Sequence, residues 1–328
     1  MKGLKSNVFI FFLMVVLSFS IVQNELFAKE AYPQKPIEVI VPYPPGGPTD
    51  IGIRAITDQL SKVLRTPVIV VNNPAGSGIV GTNEVVRAKK DGYTLLGTSS
   101  TPIVSMPITR PKEVPYDPIR DLEPLAHCTS TIVDLVVKGD HPFNRFEDLE
   151  KYVKANPGKL NMGVPGAAIQ PFFIFHILKS KGLDMNSIIS KGVPQGISFL
   201  LGGHTDALLS SISTDAQYIR EGKMKALAFF SNSRLPEFPN VPTIGEMGYP
   251  DAALIYWNGF FAPKGTPPDI LDILGKAFKD AANAPEAIEK AKKLMYIVEY
   301  KPGHELKAII EAQQKIIREI AIKTKIIE

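Results

Sequence analysis

The run Val39-Ile40-Val41-Pro42-Tyr43-Pro44-Pro45-Gly46-Gly47-Pro48-Thr49-Asp50 constrains this chain more than any other stretch. A β-rich segment, Ile37 to Val41, enters a Pro/Gly turn. It leaves in a helical pattern from Ile51 to Leu64, apolar at 51, 55, 56, 60, 63 and 64. Thr49 or Asp50 is expected to cap that helix. A helix opening just beyond a strand aims unpaired N–H groups at open space, which suits capture of an anion such as a carboxylate.

The same grammar repeats, which predicts parallel α/β sheets. Val68 to Val71 reads as a strand, followed by a Gly-rich turn and a helix to about Ala88. Tyr93 to Leu96 is a third strand, ending in Gly97-Thr98-Ser99-Ser100-Thr101. Further strands are expected at Val133 to Val137, Leu160 to Gly163, Ile188-Ile189, Ala207 to Leu209 and Leu227 to Phe230. Helices are expected at Phe146 to Ala155, Pro171 to Lys181 and near Gly196 to Leu201. After a Pro-rich stretch, Trp257 to Ala262 reads as a strand crossing back, and helices at Pro268 to Asn283 and Glu305 to Lys325 close the chain.

The first 28 residues read as an export signal: Lys2 and Lys5, an apolar run from Val8 to Val22, and a cleavage point at Leu26-Phe27-Ala28. That run, about 15 residues, is shorter than the roughly 20 a spanning helix needs, so the mature chain is expected to be soluble. With no cysteine in the signal there is no lipid anchor, and a free binding protein then needs an enclosing outer membrane, which points to a periplasm. Cys128 is the single cysteine, so no intrachain disulfide forms, and it reads as a buried apolar residue. The net charge is +4, and without Lys2, Lys5 and Glu25 about +3, too weak and scattered for nucleic acid. Roughly 300 mature residues allow two lobes with separate cores.

Catalysis finds little support. His127, His141, His176, His204 and His304 lack metal-ligand spacing, and neither a nucleophile elbow nor a P-loop occurs. Gly76-Ser77-Gly78-Ile79-Val80-Gly81 matches a dinucleotide fingerprint. However, Asn72 to Ala75 separate it from the strand, and no acidic residue ends the next strand. A helix-entry turn near the cleft is the simpler reading. Asp206 with Ser210 and Ser211 would be a catalytic set only with a placed histidine. The chain is therefore read as no enzyme, with no cofactor and no metal.

Taken together, several segments resemble the substrate-binding receptors of tripartite tricarboxylate transporters, the Bug family. They are Tyr32-Pro33 with Lys35-Pro36-Ile37, the Pro42 to Asp50 loop, Asn73 to Gly81, Asp91 to Leu96 and Pro115 to Pro118. Pro157 to Asn161, Leu200 to Gly203, Asp206, Val241 to Thr243 and Pro263 to Pro267 follow in family order. The resemblance implies a two-lobed periplasmic binding protein of the type II-like α/β class, with two parallel or mixed sheets flanked by helices and a hinge of two crossing strands. Lobe 1 would comprise 29–132 plus 254–328, and lobe 2 would comprise 133–253. It also implies a monomer whose partners are a small organic acid and the membrane subunits of a transporter.

The ligand loops implied on lobe 1 are Tyr43, Pro44, Gly46, Gly47 and Asp50, with Asp50 more a cap than a contact, and Thr98, Ser99, Ser100 and Thr101. On lobe 2 they are Val164, Pro165, Gly166, Ala167 and Gln170, then Ser190 and Lys191, then Asp206 and Ser210. These lobe 2 loops depart from the family pattern by replacing hydrogen-bonding groups with apolar ones. An unpaired polar ligand group facing them would cost about 1–3 kcal/mol. The expected ligand therefore has a carboxylate held by lobe 1 and an apolar or aromatic body against lobe 2, with Lys191 able to reach a second carboxylate. Binding would close the lobes. A second reading is a sensor subunit that presents the ligand to a membrane histidine kinase.

Overall fold

The strands of this chain fall into two mixed sheets, each flanked by helices. In the computed structural model, residues 32–165, 169–254, 256–324 and 326–327 are described. The expected export signal, Gly166 and Ala167 lie outside them. Residues Lys35–Glu328 form one unit, to which everything below refers.

The chain runs β1 (Ile37–Val41), α1 (Pro48–Leu64), β2 (Val68–Asn72), α2 (Ile79–Val86), β3 (Thr94–Ser99) and β4 (Leu122–Thr131). It continues β5 (Asp134–Lys138), α3 (Phe146–Ala155), β6 (Asn161–Pro165), α4 (Ile169–Ser180), β7 (Asn186–Ser190), α5 (Val193–Leu201), β8 (Ala207–Leu209), α6 (Ile212–Arg220) and β9 (Met224–Phe229). The last part is β10 (Tyr256–Pro263), α7 (Pro268–Asn283), α8 (Pro285–Lys293), β11 (Ile297–Pro302) and α9 (Gly303–Lys323). The six-stranded sheet has the order β11-β4-β10-β3-β1-β2, and the five-stranded sheet β7-β6-β8-β5-β9.

β1 is parallel to β2 and β3, and β6 is parallel to β7 and β8, so the loops after these strands gather at one edge of each sheet. β10 runs antiparallel between β3 and β4. Ile37, Val39, Ile40 and Val41 are all at most 2 % exposed, the mark of a strand covered on both faces. Gly97 shows how tightly α1 seats: a Cβ there would lie 2.8 Å from Val39 Cγ1 and 3.0 Å from Ile53 Cγ2.

The chain crosses between the sheets at 132–133 and again between β9 and β10. The Ile212 N–H donates to Ile132 O at 3.1 Å and the Phe230 N–H to Val133 O at 2.8 Å, so the first crossing is tied to the second sheet. The apolar core of the first sheet, with Trp257, Phe261, Leu306 and Ile310, also contains Phe173 from α4.

Several elements differ from expectation. α1 begins at Pro48 rather than Ile51, because proline suits the first helical position and Gly47 supplies the extended N-cap (φ −78°, ψ 165°). Thr49 and Asp50 are thus inside the first turn instead of capping it. β4, β11, α6 and α8 are additional to the expected elements. β4 is paired on both sides despite Pro124, because the register against β10 shifts between Phe260 and Phe261, opposite that proline.

Candidate ligand-binding cleft

The site is built from the loops that follow β1, β3, β6 and β7. In the first of them Gly46 takes φ +74°, a turn few side chains tolerate, and donates its N–H to Asp50 Oδ2 at 2.9 Å. Gly47 N–H donates to Pro44 O at 3.3 Å. The two glycine N–H groups are therefore engaged within the loop. The first helical bond is from Ile51 N–H to Gly47 O, so the N–H groups of Thr49 and Asp50 precede the hydrogen-bonded ladder and carry the positive end of the helix dipole.

Asp50 is buried and thoroughly engaged. Its Oδ1 accepts from Arg54 Nε and from Asn72 Nδ2, both at 2.9 Å, and Asn72 Nδ2 also donates to Tyr43 O at 3.0 Å. The carboxylate is a brace between loop, helix and β2.

Hydroxyl groups surround the start of α1. Tyr43 OH lies 2.8 Å from Ser99 Oγ, which lies 3.5 Å from Thr101 Oγ1. Thr49 Oγ1 lies 2.6 Å from Tyr256 OH, and Tyr296 donates its hydroxyl to Pro48 O. Burial pushes the phenols of Tyr43, Tyr256 and Tyr296 above their ordinary range, so all three are neutral donors. Thr98, Ser99, Ser100 and Thr101 are each at most 2 % exposed at the carboxyl end of β3. Tyr256 and Tyr296 carry no signal in the sequence, since each reaches the site only through the sheet that returns from the far end of the chain.

The glycine-rich segment Gly76–Gly78 is a short 3₁₀ turn entering α2. A Cβ on Gly78 would lie 3.4 Å from Tyr43 OH, and one on Gly81 3.0 Å from Pro42 Cβ. These glycines serve close packing behind the first loop, as a helix-entry turn does.

On the second sheet, Val164 and Pro165 end β6, both buried. Gln170, in the first turn of α4, donates Nε2 to Ser100 Oγ on the opposite side. Ser190 Oγ donates to Gly192 O at 2.9 Å, and Lys191 N–H to Gln195 Oε1 at 2.7 Å, leaving the exposed lysine side chain at the rim. A Cβ on Gly192 would lie 3.5 Å from Pro44 Cγ. The two sets of loops therefore touch at Gln170–Ser100 and at Gly192–Pro44. Beside them is a cavity of about 550 Å³ whose walls include Pro44, Ser77, Arg110, Ile189, Ser190 and Lys191.

Asp206 is not brought to this group. It precedes β8, where its Oδ2 accepts from Asn161 N–H at 2.7 Å at the amino ends of β6 and β8. Ser210 follows β8 at the carboxyl end, and its N–H donates to Asp134 O at 2.9 Å. Among the described residues no cluster of three or more His, Cys, Asp or Glu is placed to hold a metal, and no helix is long and apolar enough to cross a membrane.

Two α/β lobes joined by two chain crossings, with hydroxyl-rich loops facing one another, define a solute-binding receptor. The family model described as "Tripartite tricarboxylate transporter family receptor" matches residues 53–325, and the chain belongs to that family. It is 31 % identical over 261 residues to Protein BugT of Bordetella pertussis, covering 79 % of this chain and 80 % of that one. The solved structure of periplasmic binding protein BugD is similar at a TM-score of 0.83 and 30 % identity, over 90 % of this chain and 99 % of that one. MatC from Rhodopseudomonas palustris with bound malate is similar at a TM-score of 0.80 and 25 % identity, over 88 % and 99 %. The family consists of periplasmic receptors rather than enzymes.

Proposed function

We propose that this receptor captures a small organic acid in the periplasm and delivers it to the membrane subunits of a tripartite tricarboxylate transporter. The single observation carrying the proposal is the ring of neutral hydroxyls, Tyr43 and Ser99 with Thr49 and Tyr256, around the positive end of α1. Carboxylate capture needs such donors and no counter-charge. Malate bound to MatC gives the same ligand class in a relative.

In this reading lobe 1 comprises 29–132 plus 254–328 and lobe 2 comprises 133–253. The carboxylate sits at the start of α1, and the body of the acid lies against Val164, Pro165 and Ile189 of lobe 2. These side chains offer no hydrogen bond, so an aromatic or branched aliphatic acid is held better than citrate. Thermal-shift titration of the chain from residue 29 onward with citrate, malate, benzoate and branched aliphatic acids tests this. Stabilisation by the apolar acids is the expected result. Tight binding of citrate or malate with none of benzoate overturns the apolar body, and no binding of any acid overturns the receptor reading.

A further inference from the structure

At the first crossing between the sheets, two carboxyl groups are withdrawn completely from water. Asp134 opens β5 and Asp215 lies in the first turn of α6, both 0 % exposed. They face one another, and the charge of Asp215 acts on Asp134. Asp134 and Asp215 share a hydrogen bond, and the Ser210 hydroxyl also serves Asp215. Asp215 Oδ1 accepts from Thr214 Oγ1 at 3.1 Å.

Among the described residues no cation compensates them. On α6, Arg220 leans over the Phe238 ring and meets Met295 Sδ at 3.7 Å. On β9, Lys225 donates to His141 O at 2.6 Å and Asn144 Oδ1 at 2.8 Å. At the far end of β5, Lys138 pairs with Asp140, and in the segment packed on α6, Arg234 pairs with Glu246. On α1, Arg54 is bound to Asp50. α5 and β8 carry no charged residue, and Tyr296 presents a neutral hydroxyl. Two carboxylates in such a place cannot both ionise, and one proton is held between them.

The position of the pair gives that proton a mechanical role. Directly beside it, Ser211 Oγ lies 3.2 Å from Thr131 Oγ1 of β4 and 2.9 Å from Ser213 Oγ. This hydroxyl chain joins the last residue of β4 in one sheet to α6 on the other. We propose that Asp134 and Asp215 form a proton-operated clasp at the hinge, in which the shared proton fastens α6 to β5. When the proton leaves, the buried charges repel and α6 loosens together with its hydroxyl ties to β4. The clasp is independent of which ligand the cleft accepts.

The sign follows from the carboxyls. Burial, with the charge of Asp215, raises Asp134 well above the usual carboxylate range, and burial raises Asp215 to about 7 against the lowering effect of its hydrogen bonds from Ser210, Thr214 and Asp134. Above a pH of about 4 the folded chain therefore holds a proton that the unfolded chain has released, and stability falls as pH rises through the folded values. One such proton changes the unfolding constant by up to about tenfold per pH unit.

The test is thermal unfolding of the chain between about pH 5 and pH 9 for the wild type, Asp134→Asn and Asp215→Asn, with amide exchange of α6. The wild-type midpoint should fall with rising pH relative to both variants, and α6 should exchange faster than its intrinsic rate explains. Parallel midpoint curves overturn the shared proton, and faster exchange spread evenly over both sheets overturns the hinge role. Should a variant fail to fold, infrared spectra of the wild type decide. A protonated-carboxyl stretch that survives at neutral pH supports the clasp, and its absence overturns it.

Discussion

The Tyr43 hydroxyl stands 2.8 Å from Ser99 Oγ, tying the first loop of the chain to the end of β3. Tyr43→Phe removes that bond and a donor from the hydroxyl ring. Acid binding, read by calorimetry, should weaken by about 1–3 kcal/mol, roughly fivefold to a hundredfold, while the fold is retained. Unchanged affinity would show that the ring does not face the ligand.

Asp50 predicts a stability effect rather than a recognition effect. Asp50→Ala strands the Gly46 N–H and takes one acceptor each from Arg54 and Asn72, which keep their bond to one another and the Asn72 bond to Tyr43 O. Urea unfolding, followed by the fluorescence of the single tryptophan, Trp257, should show a loss of about 2–4 kcal/mol. A loss below about 0.5 kcal/mol would mean that the brace contributes nothing.

Gly52 lies inside α1, where alanine ordinarily gains about 1 kcal/mol over glycine. Here a Cβ would meet Asn258 Nδ2 at 2.3 Å, Tyr296 Cε1 at 2.8 Å and Thr129 Oγ1 at 2.9 Å. The clash dominates, and Gly52→Ala should destabilise the chain by about 1–3 kcal/mol. A higher melting midpoint than wild type would contradict this packing.

Gln170 reaches across the cleft to Ser100. Gln170→Ala removes this tie between the two sets of loops, so X-ray scattering in solution should report a larger radius of gyration without ligand. Affinity should drop by about 1 kcal/mol, roughly fivefold. An unaltered radius and affinity would mean that closure rests on other contacts.

Much of this architecture is legible in the residues, for local reasons. Periodicity alone marks α7, whose expected bounds and observed Pro268–Asn283 coincide, and β1 is a short apolar run between turn residues. β4 hides because Pro124, His127 and a Ser/Thr-rich end make it read as loop, yet pairing on both sides outweighs that composition. Within the site, the hydroxyls after β3 are visible as a cluster. The contributions of Tyr256 and Tyr296 depend on contacts spanning more than two hundred residues. Asp206 and Ser210 look close in sequence, but the intervening strand places them at opposite ends of β8, about 13 Å apart.

β10 lies between β3 and β4, and it is contributed by residues Tyr256–Pro263. Every strand of the five-stranded sheet, by contrast, comes from one uninterrupted stretch between Asp134 and Phe229. In chain order, the second lobe is therefore the earlier of the two to have all its strands in hand. The edges of β3 and β4 that face one another are filled only by residues Tyr256–Pro263. The lobe that carries the first binding loop in the sequence is thus the one that needs the far end of the chain to join its strands.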